Sequence, residues 1–233
     1  MSVSGTFARE VVIPPAGIVG DLTLPPKATG IVVFAHGSGS GRHSSRNQYV
    51  AKVLQDRGLG TLLLDLLTEE EERVDLRTMQ LRFDIGLLAS RVRDAAVYIR
   101  SLPALRDFSI GLFGASTGAA AALVAAAELP EVEAIVSRGG RPDLAGPALS
   151  RVTAPVLLIV GGQDPQVLKL NEAAMQELQG PKHLMIIPGA GHLFEERGAL
   201  EQVAQLAAVW FLRYLRAGWQ AISAQGSAFS SKP

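Results

Sequence analysis

The chain has 233 residues, of which 48% are apolar and 19% charged, a balance that fills a large core and leaves too little charge for disorder. Lys+Arg and Asp+Glu stand at 22 each, for zero formal net charge, so the basic excess of a nucleic-acid binder is missing. Cysteine is absent, which excludes disulfides, thiolate zinc sites and a cysteine nucleophile.

The chain opens without a basic segment followed by an apolar run, so no signal peptide is expected. No window reaches the roughly 18 apolar residues of a membrane span. A soluble, cytoplasmic protein with no membrane or nucleic-acid partner is the expectation. Residues 6–13 and 18–24 alternate apolar and polar and are joined through Pro14-Pro15-Ala16-Gly17, the pattern of an antiparallel hairpin. Residues 30–35 (GIVVFA) are continuously apolar, as in a strand buried on both faces of a parallel sheet. Runs of this kind recur at 60–66, 108–113, 132–136, 155–160 and 183–187, with helical patterns at 44–56, 83–102, 116–127, 165–179 and 198–215. The alternation implies βαβ units with right-handed crossovers. The fold expected is α/β: one domain over residues 1–216, with an eight-stranded, mostly parallel sheet and helices on both faces.

Two stretches fall outside the repeat. Residues 68–82 (TEEEERVDLRTMQLR) are charge-rich and read as a solvated loop or exposed helical turn, with a small cap over the site as the functional rival. Residues 217–233, rich in Ala, Ser, Gly and Gln, read as a loosely ordered tail.

Between an apolar strand and an Ala-rich helical run stands Gly114-Ala115-Ser116-Thr117-Gly118, a G-x-S-x-G pattern. A strand that turns abruptly into a helix forces the residue at the bend to positive φ and lifts its hydroxyl above the sheet. Glycines two before and two after leave no Cβ to clash. The new helix also aims free backbone N–H groups at the same spot. A small-residue helix start explains such a pattern in isolation; the strand–turn–helix context selects Ser116 as nucleophile.

A serine hydroxyl needs a base, and the base needs a third group to orient it. Of the four histidines, His183 begins a strand at the end opposite the chemistry. His36 closes the third strand and reads as shaping its loop, and His43 reads as a surface residue. His192, in Pro188-Gly-Ala-Gly191-His192 after the last strand, is selected by elimination and position. Asp164, in Gly161-Gly162-Gln163-Asp164-Pro165, emerges at the same strand end, and the order Ser…Asp…His is that of strand–turn–helix hydrolases. Its rival role is a helix N-cap before Pro165, and the two roles are compatible. Asp65 is the reserve acid; Glu195 and Glu196 read as helix-start or solvent-facing residues.

His36-Gly37-Ser38-Gly39-Ser40-Gly41 follows the third strand and is similar to the HG-x-G oxyanion loop of esterases, so the backbone N–H groups of Ser38 and Thr117 are the expected oxyanion donors. A phosphate cradle is the rival, but no G-K-[ST] ending is present. Arg42 and Arg46 follow this loop and Arg138-Gly-Gly-Arg141 follows the sixth strand, so both pairs are expected at the catalytic end, as a candidate clamp for an anionic substrate. Their bland reading is structural, as ties to carbonyls or to acids such as Asp143. No H-x-H or H-E-x-x-H pattern occurs, so neither a metal nor another cofactor is expected.

With these residues in place the chain resembles the dienelactone hydrolase branch of the α/β-hydrolases. The likeness runs over residues 6–215, on HGSGSGRHSSRN, GASTG, GGQD and GAGHLF in that order. It implies the α/β-hydrolase fold with little or no cap, a Ser116–Asp164–His192 triad, no metal, and a small-molecule ester or lactone as substrate. It also suggests carboxylated lactones, which the arginines suit. Dienelactone hydrolases proper use a cysteine nucleophile, so serine here points to a general carboxylesterase. The same triad also serves acyl transfer, thioester cleavage or phosphotriester cleavage. A catalytically silent binding protein is the reading of a different class, and the complete Ser, Asp and His set argues against it.

Overall fold

The structure, a computed structural model, describes residues 5–28 and 30–215. The eight expected strands are β1 (Phe7–Ile13), β2 (Ile18–Leu24), β3 (Gly30–Ala35), β4 (Gly60–Leu64), β5 (Ser109–Ala115), β6 (Val132–Arg138), β7 (Val156–Gly161) and β8 (Lys182–Ile187). They form one sheet in the order β1-β2-β4-β3-β5-β6-β7-β8. β1 and β2 pair antiparallel, as do β2 and β4, and every later pairing is parallel. β3, β4, β5 and β7 are buried along their whole length, which is why they read as unbroken apolar runs. The edge strand β8 is mostly exposed or half-buried.

The expected helices are α1 (Ser45–Asp56), α3 (Ile85–Ser101), α4 (Thr117–Ala126), α5 (Pro165–Glu177) and α6 (Ala199–Tyr214). α1 and α6 pack together over one face, on a core that includes Phe34, Phe113 and Phe211. α3, α4 and α5 cover the other, on a core that includes Ile31, Leu112 and Leu158. Strand order reverses between β3 and β5, and a crevice opens outside the carboxyl ends of strands at such a switch point.

Residues 68–82 are a mostly exposed helix, one of the two forms of the first reading, and not an irregular loop. They fold into α2 (Glu69–Thr78) and a short 3-10 turn (Leu81–Phe83). Thr68 and Glu71 form a reciprocal capping box, with four glutamates in the first turn matching the helix dipole. Glu71 bonds Arg91 of α3 at 2.6 Å, and buried Asp75 receives Arg82 Nε at 2.6 Å. Glu72 and Leu76 then wall a cavity of about 250 Å³ beside residues 36–40.

β4 stops at Leu64, short of the expected 66, because the Leu66 N–H goes to His36 Nε2 at 3.0 Å rather than to a strand. A further segment absent from the sequence expectation, Pro142–Arg151, is a pair of short turns kinked at Gly146 (φ 50). The tail over 217–233 lies outside the described residues.

Candidate active site

β5 runs through Ala115, and the chain turns into α4 at Ser116, whose φ of 51 and ψ of −121 lie outside the helical region. The Ser116 N–H donates to the Arg138 carbonyl at 3.2 Å, so the bend is pinned to the end of β6. Both flanking glycines are required by close approach. A Cβ on Gly114 would meet the Ala119 Cα at 2.4 Å, and one on Gly118 would meet the Ala35 and His36 carbonyls at 2.3 Å. The second contact presses the start of α4 against the end of β3 and its loop.

His192 and Asp164 meet at this end of the sheet. The ring Nδ1 lies 2.8 Å from Asp164 Oδ2, while Asp164 Oδ1 accepts the Val167 N–H at 3.3 Å as the N-cap of α5. One carboxylate thus holds both expected roles, one oxygen for each. Nδ1 is the nitrogen so engaged, which leaves Nε2 to the cleft of about 210 Å³ that His192 lines together with Ser116. No hydrogen bond joins the Ser116 hydroxyl to the ring among the described residues; such contacts commonly close only with substrate bound.

The glycine-rich loop after β3 lies against the elbow, with a Cβ on Gly37 falling 3.1 Å from the Ser116 Cβ. Ser38 differs from expectation in one respect. Its N–H is not free but donates to the Thr117 hydroxyl at 3.0 Å. His36 sits beneath, with Nδ1 2.8 Å from the Gly37 carbonyl and Nε2 accepting from Leu66. That pattern fixes a neutral tautomer, and burial lowers the pKa of the ring below its ordinary value, the nearby Gly37 carbonyl, Asp65 and Glu72 acting in the other sense. His36 therefore shapes the loop, as its position suggests. His43 is exposed, and His183 lies on β8 beside Leu157, at the far end from the cleft.

The four arginines separate into two kinds. Arg42 is no free clamp: its guanidinium bonds Asp65 at 2.5 Å and Glu10 at 2.9 Å, and its own N–H donates to Asp65 at 2.8 Å. Asp65, the reserve acid, is thereby committed to Arg42. Arg141 is closed by a bidentate pair with Asp143, at 2.8 and 2.7 Å. Arg46 and Arg138 line the cleft with Ser116 and His192. Arg46 reaches the exposed Glu195 at 3.1 Å. Arg138 is 8% exposed, and its Nε and Nη1 have no hydrogen-bond partner in the protein. Burial, and then the charge of Arg46, push its pKa down to about 10, which leaves it cationic at neutral pH. Sequence reasoning passed over Asn47, also in the cleft and 2% exposed, with an unpartnered Oδ1. A polar residue on the buried side of α1 was the available signal. Glu196 accepts the Gly191 N–H at 3.0 Å and braces the His192 loop.

Residues 17–215 match the model of the dienelactone hydrolase family. Two curated proteins of Mycobacterium tuberculosis, strains CDC 1551 and H37Rv, each named "Putative phosphoribosyl transferase", are 56% identical over 207 residues. The match covers 88% of this chain and 46% of theirs, so the chain spans about half the length of these relatives. The crystal structure of a dienelactone hydrolase from Anabaena variabilis is 60% identical, with a TM-score of 0.87 over 91% of this chain and 98% of that one. Est1E from Butyrivibrio proteoclasticus, 18% identical, shares the fold with a TM-score of 0.70 over 90% of this chain and 98% of its own.

Proposed function

The chain belongs to the dienelactone hydrolase family, and on that premise we propose that it is a serine hydrolase cleaving carboxylic esters or lactones through an acyl-enzyme on Ser116. The observation that carries this reading is the His192–Asp164 pair at 2.8 Å, set in the same cleft as a serine at positive φ. A hydroxyl lifted from the sheet, a base with its tautomer held, and a helix N-terminus beside both are the parts acyl transfer needs.

In the first half-reaction His192 Nε2 takes the Ser116 proton as Oγ attacks the carbonyl carbon. The carbonyl oxygen gathers the negative charge against the Thr117 N–H and the Ser38 N–H. Collapse breaks the bond to the leaving alkoxide, which takes its proton from the imidazolium. In the second, water gives a proton to His192 and its oxygen to the acyl carbon, and Ser116 is released with its proton restored. Asp164 holds Nδ1 and supports the imidazolium.

The name of the mycobacterial relatives belongs to proteins of which this chain matches 46%. The test is a rapid-mixing experiment with p-nitrophenyl acetate. A burst of p-nitrophenol close to one per protein, followed by slower turnover, is expected; absence of release above the rate in buffer contradicts the proposal.

A further inference from the structure

We propose that the Ser116 cleft contains a binding subsite for a phosphate group, built from the guanidiniums of Arg138 and Arg46, the amide of Asn47 and the N-terminus of α1. The subsite deepens the hydrolase reading, on which it rests only for placing the phosphate on the substrate: the ester or lactone cleaved at Ser116 would carry a phosphate monoester that stays intact.

Arg138 carries most of the argument. A guanidinium taken out of water without a partner loses its hydration, a cost that folding alone does not return. Arg42 and Arg141 show the alternative, each closed on a carboxylate of its own. Arg138 stays 8% exposed with Nε and Nη1 unpartnered, beside the nucleophile. Nε and Nη1 stand on the two different edges of the guanidinium that share Nη2, so one anion meeting both needs more than two oxygens. Arg46 Nε is likewise buried and unpartnered.

The wall opposite is the start of α1. Ser44, Arg46 and Asn47 all line the cleft, and the first turn of this 12-residue helix has no acidic residue. Ser44 caps the Asn47 N–H at 3.4 Å, and the positive dipole end of the helix lies at this wall of the cleft. No acid lines the cleft; Glu195, the partner of Arg46, has a side chain that is 67% exposed and screens that charge weakly.

Asn47 distinguishes phosphate from other anions. Its buried Oδ1 is an acceptor without a partner, set among cationic donors. A carboxylate or a sulfate is fully deprotonated at neutral pH and has no proton to give it. A phosphate, with a second pKa of about 6, keeps one proton at modest cost and then presents anionic oxygens to the guanidiniums and a P–OH to Asn47 at once. The geometry thus points to a protonated tetrahedral anion.

Isothermal titration of the full chain with inorganic phosphate, sodium sulfate and sodium acetate tests this at constant ionic strength. Phosphate is expected to bind about tenfold or more tightly than sulfate, the factor of one charge-assisted hydrogen bond, and acetate to be weaker still. Arg138→Gln should weaken phosphate by about tenfold or more, and Asn47→Leu should erase the preference over sulfate. Arg46→Gln, at a less buried site, provides a second weakening variant should Arg138→Gln fail to fold. Equal binding of phosphate and sulfate, or of phosphate and acetate, overturns the proposal, as does unchanged phosphate binding in a folded Arg138 or Arg46 variant. Ser116→Ala should still bind phosphate. Lost subsite binding with an active Ser116 removes the subsite alone, and retained binding with an inert Ser116 removes the hydrolase reading alone.

Discussion

The backbone N–H of Ser38 donates to the side-chain hydroxyl of Thr117 at 3.0 Å, so the two residues expected to supply oxyanion donors are joined to each other. The bond crosses from the loop after β3 to the first turn of α4. It tethers a glycine-rich loop, of which Ser38 and Gly39 are exposed, to the helix behind the nucleophile. An N–H in this position can be shared between two acceptors, the hydroxyl and the oxyanion that forms beside it.

Thr117→Val removes the tether and keeps the shape. We expect kcat on a p-nitrophenyl ester to fall about tenfold, less than the 10²–10³ of a deleted oxyanion donor, with Thr117→Ser close to wild type. Unchanged kcat in Thr117→Val shows that the loop holds itself in place without the bond.

Asp164 has two duties that substitution can separate. Asparagine caps a helix about as well as aspartate, but its amide does not support the imidazolium. Asp164→Asn is expected to lose on the order of 10³–10⁴ in kcat at an unchanged melting temperature. Asp164→Ala should lose the same activity and about 1 kcal/mol of stability besides. Near-normal kcat in Asp164→Asn would show that another acid orients His192. Asp65 is not available for that duty, being held by Arg42.

His36 gives the fold a pH dependence of definite sign. Burial lowers its pKa from the ordinary 6.5, so below that pH the unfolded chain takes up a proton that the folded chain refuses. The contribution is fully present above about pH 6.5 and declines as pH falls toward the lowered folded-state value. Urea midpoints measured at pH 8 and pH 5.5 should differ more in wild type than in His36→Gln. An identical difference in both assigns the acid sensitivity elsewhere.

Arg42 is expected to act on stability and not on substrate choice. Its side chain is 16% exposed and bonds Asp65 and Glu10, so Arg42→Ala should cost about 1.5–3 kcal/mol in chemical denaturation. The ratio of rates on an anionic and a neutral ester should stay as in wild type. A change in that ratio returns Arg42 to the substrate site.

The order of strands and helices was legible because buried parallel strands leave unbroken apolar runs, as in GIVVFA and VLLIVG, and amphipathic helices do not. The elbow was legible because Gly114 and Gly118 answer to backbone contacts a Cβ would violate. The pairing of His192 with Asp164 followed from strand ends, which topology brings together. The arginines were not separable in sequence, since all four stand close after strands at the same end of the sheet. What divides Arg42 and Arg141 from Arg138 is whether a carboxylate lies within reach: Asp143 for Arg141 is two residues away, but Asp65 and Glu10 reach Arg42 only across the sheet. The fold of 68–82 was readable in part, since Thr68-Glu69-Glu70-Glu71 spells a capping box. Its packing on α3 through Arg91 depends on a residue 20 positions away.

Covalent trapping shows whether Ser116 carries the acyl group. Incubation with a fluorophosphonate, then digestion and mass spectrometry, should place the adduct on the peptide containing Ser116. Ser116→Ala should take up no label and lose about 10³-fold or more in kcat. Labelling of a different serine, with Ser116→Ala still hydrolysing the ester at the wild-type rate, contradicts the account.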